Sequence, residues 1–241
     1  MDFKGIWSEQ KHSRFIEYLK EFADLKYKEF NSRLINDDRV DCIGVRALVL
    51  RKFAKLIAQN DYQGFINHSS NKYHEELAIY GLIIGYAKLD YDQLMTMLKS
   101  FAACISNWAL SDIASTKFKQ ILANKNDAFE KITKFTESKN PWEIRFGLVL
   151  ILNIFVEEAY IDRILEICSA INSEHYYAKM GNAWLISECF IQFPQKTQNM
   201  LQAKVLDKWT QNKAIQKIKE SRRTKNFAKQ KLELLKVPIR N

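Results

Sequence analysis

Glycine and proline are scarce in this chain, which has 7 Gly and 3 Pro among 241 residues. Average usage is about 7% Gly and 5% Pro. A sheet protein turns roughly every 8–12 residues, and its tight turns draw on Gly and Pro. The chain therefore cannot supply an all-β sandwich or barrel, nor the Gly-rich loop of a nucleotide-binding fold. With 47% hydrophobic residues it has enough apolar side chains for a packed core, so we predict an all-α protein.

Apolar residues recur at helical spacing along most of the chain. In the segment Ser13–Ala23, for example, Phe15, Leu19 and Phe22 lie on one face of an amphipathic helix. In Val45–Ile57 the same spacing predicts a buried face that includes Leu48. Further predicted helices are Tyr73–Lys88, Tyr91–Ser100, Asn107–Lys117, Ala128–Glu137, Pro141–Phe155, Ala159–Ala170, Glu174–Phe193, Pro194–Leu201, Leu206–Glu220 and Thr224–Leu235.

Helix starts and pair spacing indicate a repeat architecture. Asn140 before Pro141 predicts an N-cap with Pro at the first helical position, and Asp207 and Ser173 are expected to begin two other helices. Helix pairs follow one another about every 30–40 residues, the range of two-helix solenoid repeats. Because no linker rich in Pro, Gly or Ser divides the chain, we predict one HEAT-like repeat domain over residues 1–241, folded as a right-handed α-α superhelix.

The positive charge of the chain lies at its C-terminal end. Residues 204–241 contain 12 Lys and Arg against 3 Asp and Glu, which accounts for the whole net charge of +9. A basic region attracts phosphate, in nucleic acid or in anionic lipid, by counterion release and Coulomb attraction. The alternative is a solvated helical end whose lysines serve solubility. We treat 204–241 as basic C-terminal helices.

The sequence offers little support for metal, redox or membrane chemistry. The four cysteines, which show no C-x-x-C spacing, are expected to be buried and reduced. The four histidines lack metal-ligand spacing, and the chain begins with no apolar targeting segment. We therefore expect a monomeric cytoplasmic protein with no cofactor, no metal and no membrane partner. Any active site must rest on carboxylates, aromatic rings and arginine.

One group of such residues is a candidate active site. Trp108 and Asp112 lie four residues apart, so a helix places the indole and the carboxylate on one face. Arg145 and Trp184 occupy later helix pairs. On consecutive repeats, these groups would line one wall of a solenoid. The alternative is that the indoles belong to the core and that Asp112 and Arg145 form ordinary ion pairs or caps.

Four stretches follow one another in register along the chain: Ile43-Gly44-Val45-Arg46 leading into Arg51-Lys52, Trp108-x-x-x-Asp112, Trp142-Glu143-Ile144-Arg145, and Tyr176-Tyr177 leading to Ala183-Trp184. These stretches resemble the AlkD-type DNA alkylation repair family of HEAT-like repeat DNA glycosylases. The resemblance implies a superhelix whose concave basic face holds alkylated duplex DNA. The family's last DNA-contacting segment resembles Ser-Lys-Arg-Glu-Ala, whereas residues 210–214 here read Thr-Gln-Asn-Lys-Ala, so we expect a divergent branch.

The resemblance also assigns roles to residues of this chain. Asp112 would be the catalytic carboxylate, and Trp108 and Trp184 would flank the deoxyribose of the lesion. Arg145 would hold the adjacent phosphate or steer the attacking water. The residues expected to bind DNA are Arg46, Thr210, Asn212, Lys213, Lys217, Arg222 and Arg223.

Two functions from different classes follow. The first is a monofunctional alkylpurine DNA glycosylase that hydrolyses the N-glycosidic bond of N3- or N7-alkylated purines. The second is a non-catalytic HEAT-like module that binds DNA or a protein partner. Exposed positions for Trp108, Trp184 and Asp112 favour the enzyme, whereas buried indoles and a neutralised carboxylate favour the module.

Overall fold

The structure, a computed structural model, describes residues 1–35, 37–113, 118–224 and 226–238. Within these ranges it contains fifteen α-helices and no strand. The helices are α1 (Glu9–Lys20), α2 (Leu25–Ile35), α3 (Ala47–Ala58), α4 (Tyr62–Asn67), α5 (His74–Tyr86), α6 (Tyr91–Cys104), α7 (Trp108–Ile113), α8 (Lys119–Leu122), α9 (Lys125–Thr136), α10 (Pro141–Ile154), α11 (Ile161–Ala170), α12 (Tyr176–Gln192), α13 (Pro194–Ala203), α14 (Lys208–Glu220) and α15 (Asn226–Glu233).

The prediction of an all-α helical repeat protein is confirmed for the described residues. The helices form two compact units, unit 1 over Met1–Asn124 and unit 2 over Lys125–Asn241. Within each unit, helices two positions apart in the chain pack on each other, as α3 does on α5 and α10 does on α12. This is the packing expected when equivalent helices of successive repeats stack. The single domain and the right-handed superhelix stay predictions.

Helix α5 lies at the centre of unit 1, and every residue from His74 to Ile84 is buried. It packs on α3, α6 and α7, which explains why its sequence is apolar on all sides. Gly81 allows the close approach, because a Cβ at this position would lie 2.6 Å from Cγ2 of Ile113 and 2.8 Å from Cζ of Phe101. The glycine thereby seats α7, the helix that carries Trp108 and Asp112.

A buried carboxylate fixes the chain ahead of α3. Glu75 is fully buried and accepts hydrogen bonds from the backbone N–H groups of Ile43, Gly44 and Val45 at 2.9, 2.8 and 3.2 Å. Gly44 has φ +97°, in the left-handed region that favours glycine. Three successive N–H groups turned toward one anion form a backbone nest, which satisfies the buried charge.

Unit 2 is built around α10, α12 and α14, with α9, α11 and α13 against them. All residues from Ile144 to Ile151 of α10 are buried, and so is most of α12. The predicted N-caps of two of these helices are confirmed. The side chain of Asn140 accepts from the backbone N–H of Trp142, and that of Asp207 accepts from Trp209 and Thr210.

Several helix predictions need correction. Helices α2, α4 and α8 were not predicted, and α2 escapes the pattern because its apolar side chains Leu25 and Phe30 are 75% and 61% exposed. In α3 the buried face does not include Leu48, contrary to the prediction, and this side chain is 81% exposed. Ser173 does not begin a helix. Its hydroxyl accepts a hydrogen bond from the backbone N–H of His175, and α12 starts at Tyr176.

The structure bears separately on the predictions about membrane spans and about buried cysteines. Among the described helices, none has the length and apolarity needed to cross a membrane. Cys168 and Cys189 are buried as expected, but Cys42 and Cys104 are only half-buried. All four are free thiols, and burial raises the pKa of Cys189 to about 12.

Candidate nucleic-acid interface and catalytic carboxylate

In unit 1, the start of α7 is held in place by a buried amide. Asn107 is fully buried, accepts from the N–H of Leu110 at 3.1 Å and donates to Asp37 at 2.9 Å. These bonds cap the helix and tie it to the segment that follows α2. The position of the next residue, Trp108, is therefore fixed at the backbone.

Trp108 and Asp112 are both half-buried, so part of each residue is accessible to solvent. The indole Nε1 of Trp108 donates a hydrogen bond to the carbonyl of Leu34 at 3.0 Å. This bond fixes the plane of the ring. Asp112 follows one helical turn later and has interactions of its own within the structure. The predicted pair therefore shares one helix face.

Arg46, also in unit 1, is exposed but already paired. Its Nη2 lies 2.7 Å from Oδ2 of Asp24, and its guanidinium lies 4.9 Å from the ring centroid of Tyr27. Hydrogen bonds from the backbone of Tyr27 and from Arg46 lower the pKa of Asp24. Since the pair is exposed, it contributes little to stability, and a phosphate could displace the carboxylate.

In unit 2, Arg145 is a buried cation. It is 5% exposed and donates from Nη1 to the carbonyl of Tyr177 at 3.2 Å. The aliphatic part packs on α12, where a Cβ at Gly181 would lie 3.4 Å from Cγ of Arg145. The guanidinium lies 6.0 Å from the ring centroid of Tyr177. The side chain is thus ordered by packing before any ligand arrives.

Other cations share the surroundings of Arg145. The pKa of Lys217 is lowered, mainly by burial and then by the positive charges of Lys213 and Arg145, while Glu220 acts in the opposite direction. Lys213 and Lys217 lie four residues apart on α14, so they share a helix face. The two lysines therefore bring like charges together on α14, an arrangement that suits an anionic ligand.

Trp184 lies on the same side of α12. Gly181, which faces Arg145, precedes it by three residues, and Glu188 follows it by four, so the three share a helix face. Glu188 accepts from Nη2 of Arg223 at 2.5 Å. The indole is half-buried and Arg222 is exposed. We call this surface the basic face of unit 2, defined by Arg145, Trp184, Lys213, Lys217 and Arg223.

Thr210 is buried, and the side chain of Asn212 has internal partners. Thr210 is 1% exposed, because it sits in the first turn of α14 under its cap, Asp207. Asn212 pairs with the backbone of Val237, donating to the carbonyl and accepting from the N–H at 2.9 Å each. The structure thus gives both residues a role in packing α14 and the chain that follows it, and we leave them out of the basic face.

A feature that the sequence did not reveal is a row of aromatic rings at the starts of α10, α12 and α14. Ring centroids lie 5.2 Å apart for Trp142 and Tyr177, 5.0 Å for Tyr177 and Tyr176, and 5.5 Å for Tyr176 and Trp209. We call these four residues the aromatic row. Trp142 and the Tyr176-Tyr177 pair stood in matching stretches, but only the packing of three helices brings them into contact.

The family model described as DNA alkylation repair enzyme matches residues 15–218, which is most of the chain. A comparison with curated protein sequences finds no match. The family match confirms the relationship predicted from the four motif stretches and makes DNA the substrate. The chain belongs to the DNA alkylation repair enzyme family.

Proposed function

We propose that the protein hydrolyses the N-glycosidic bond of cationic N3- or N7-alkylated purines in duplex DNA. Membership of the family gives DNA alkylation repair, and the proposal specifies the reaction. The observation that supports it most directly is the basic face of unit 2, where Lys213 and Lys217 lie one turn apart on α14 and Arg145 lies on α10, both helices packing on α12. Phosphates of the DNA backbone are the anions that such a face fits.

The roles on this face differ from residue to residue. Arg145 is held against the carbonyl of Tyr177, so its guanidinium can take one phosphate without first losing much conformational freedom. Lys217 and Lys213 add charge along the backbone. Trp184, which is half-buried on α12, offers an apolar surface to a deoxyribose. These contacts position the duplex and carry no information about its sequence.

Asp112 supplies the chemistry in this proposal. An alkylated purine carries a positive charge and leaves as a neutral base, taking the electron pair of the C1′–N bond. Positive charge then develops on the sugar as an oxocarbenium ion, which a nearby carboxylate stabilises. Water adds to C1′ and gives its proton to the carboxylate. The products are the free alkylpurine and an abasic site, and no electrons are transferred.

Trp108 contributes through its orientation. Since its N–H is bonded to the carbonyl of Leu34, the ring cannot turn freely, and it stays on the side of α7 that carries Asp112. An indole face attracts cations. Its role is to add to the stabilisation that the carboxylate provides and to exclude bulk water from the sugar.

The test is a base-release assay on duplex DNA that carries 7-methylguanine or 3-methyladenine. The parent protein is expected to release the methylated base. Asp112→Asn should abolish release while its DNA affinity stays within a few-fold of the parent. Asp92→Asn, which changes an exposed carboxylate of the same unit, is the matched control and should release base like the parent. Undiminished release by Asp112→Asn would remove Asp112 from the catalytic role.

The alternative function is the non-catalytic module. It is favoured by one observation, namely that the Trp108 indole N–H and the Asn212 amide are both used in internal hydrogen bonds. A parent protein that binds methylated duplex tightly but releases no base in the same assay would establish it. Binding measured alongside release therefore separates the two functions.

A further inference from the structure

The aromatic row forms a continuous line of rings on the surface of unit 2. Its members come from three helices that pack side by side, α10, α12 and α14. Tyr176, in the middle of the row, is 52% exposed, and Trp142, Tyr177 and Trp209 are half-buried. Large aromatic side chains are usually covered in a folded protein, so a row of four in mutual contact with solvent access indicates a binding surface.

The charges around the row are mainly positive. Nζ of Lys213 lies 6.0 Å from the ring centroid of Trp209, and Arg145 lies 6.0 Å from that of Tyr177. Two acids in the same groove as Trp209, Glu174 and Asp207, are both within reach of Lys179, at 2.7 and 3.6 Å. Next to Trp209, a groove of about 880 Å³ is also lined by Lys208 and Lys213. A ligand with flat rings and negative charge fits this combination.

We propose that the aromatic row binds unpaired nucleotides of DNA, whose bases stack on its rings while Lys213 and Lys208 contact the phosphates. Bases inside a duplex have both faces covered by their neighbours, so they cannot use such a row. Unpaired bases can, and base stacking on aromatic side chains beside a basic groove is how proteins hold single strands. A proline-rich peptide would also fit aromatic rings, but it gains nothing from the cations.

The experiment uses the full chain and a fluorescein-labelled 12-nucleotide thymidine strand, with affinity measured by anisotropy. Removing one stacking ring should weaken binding by about 5- to 150-fold, the range for a lost base–aromatic contact. We expect this loss for Tyr176→Ala and for Trp209→Ala. Tyr176→Phe keeps the ring and should bind like the parent. Phe30→Ala, which removes a ring that is 61% exposed in unit 1, is the matched control and should also bind like the parent.

A blunt duplex of the same length separates this proposal from the proposed function. Its affinity, and the release of methylated base from it, should be unchanged in Tyr176→Ala. A parent without base release that still binds the single strand through Tyr176 would leave this proposal intact. Equal single-strand affinity for the parent, Tyr176→Ala and Trp209→Ala would overturn it. So would binding of a decaproline peptide, and not of the oligonucleotide, that depends on these rings.

Discussion

The two units bury charges of opposite sign and treat them differently. Unit 1 buries two carboxylates, Glu75 and Glu76, both 0% exposed. The first accepts three backbone N–H groups, and the second accepts from the backbone of Ser70 and Tyr73. Unit 2 buries Arg145, whose neighbours include the like charge of Lys217.

The difference separates carboxylates whose hydrogen bonds are completed inside the fold from a cation that, in the proposed function, binds a phosphate. A buried carboxylate surrounded by donors has its hydrogen bonds complete without any partner molecule, so it stabilises the folded chain. A cation beside other cations costs stability and is kept where function requires it. The comparison can be tested by changing each type of charge in turn.

The largest effect is expected at Glu75. Glu75→Ala leaves three buried N–H groups without an acceptor, and each orphaned group costs roughly 1–3 kcal/mol. We expect the free energy of unfolding to fall by about 3–6 kcal/mol, measured by urea denaturation followed by circular dichroism. Glu9→Ala, an exposed carboxylate in the first turn of α1, should change it by less than about 1 kcal/mol. Equal urea midpoints for both variants would mean that the buried carboxylate does not hold unit 1 together.

The second effect concerns binding. Changing four cations of unit 2 to Ser should weaken affinity for duplex of any sequence and flatten the plot of log Kd against log salt concentration. Each lost phosphate contact removes about 0.9 from the slope, so four contacts remove roughly 3–4 units. An unchanged slope would move the DNA-binding surface elsewhere. The four are Lys213, Lys217, Arg222 and Arg223, and the matched control changes four exposed lysines of unit 1, Lys52, Lys55, Lys88 and Lys99.

The smallest effect is the pH dependence of stability. Burial lowers the pKa of His12 from its ordinary value of 6.5, although Glu76, 3.4 Å away, acts in the opposite direction. The unfolded chain then binds more protons than the folded one near this value. His12 therefore stabilises the fold fully above pH 6.5, and this contribution is lost as the pH falls below it.

The corresponding measurement compares the melting temperature at pH 7.5 and pH 5.5. His12→Phe keeps a ring among Trp7, Phe15 and Phe65, the rings that surround it, and should lose less stability on acidification than the parent. His175→Phe in unit 2, where the histidine is only half-buried, should change the pH dependence less. Identical pH dependence in the parent and His12→Phe would show that His12 does not titrate on folding.

The sequence predicted those features that depend on near neighbours along the chain. The caps at Asn140 and Asp207 and the helical content follow from local patterns. Helix α2 was missed because Leu25 and Phe30 face outward, so burial does not follow the helical period. Asn212 was expected at the DNA, since only the fold reveals that Val237 takes both atoms of its amide.

In the candidate site, too, the sequence predicts only what depends on near neighbours along the chain. Arg145, Trp184 and Lys217 were each identified from motifs or charge, but their common surface depends on how α10, α12 and α14 pack. The aromatic row depends on that packing entirely. Asp112 and Trp108 were easier to predict, because a spacing of four residues on one helix places them together.

The like charges around Lys217 affect the stability of the folded protein. Repulsion among these cations is present while the face is empty and is relieved when a polyanion covers it. If DNA occupies this face, as the proposed function requires, it shifts the folding equilibrium toward the native state by mass action. Under the proposed function, protein bound to DNA should consequently unfold less readily than free protein.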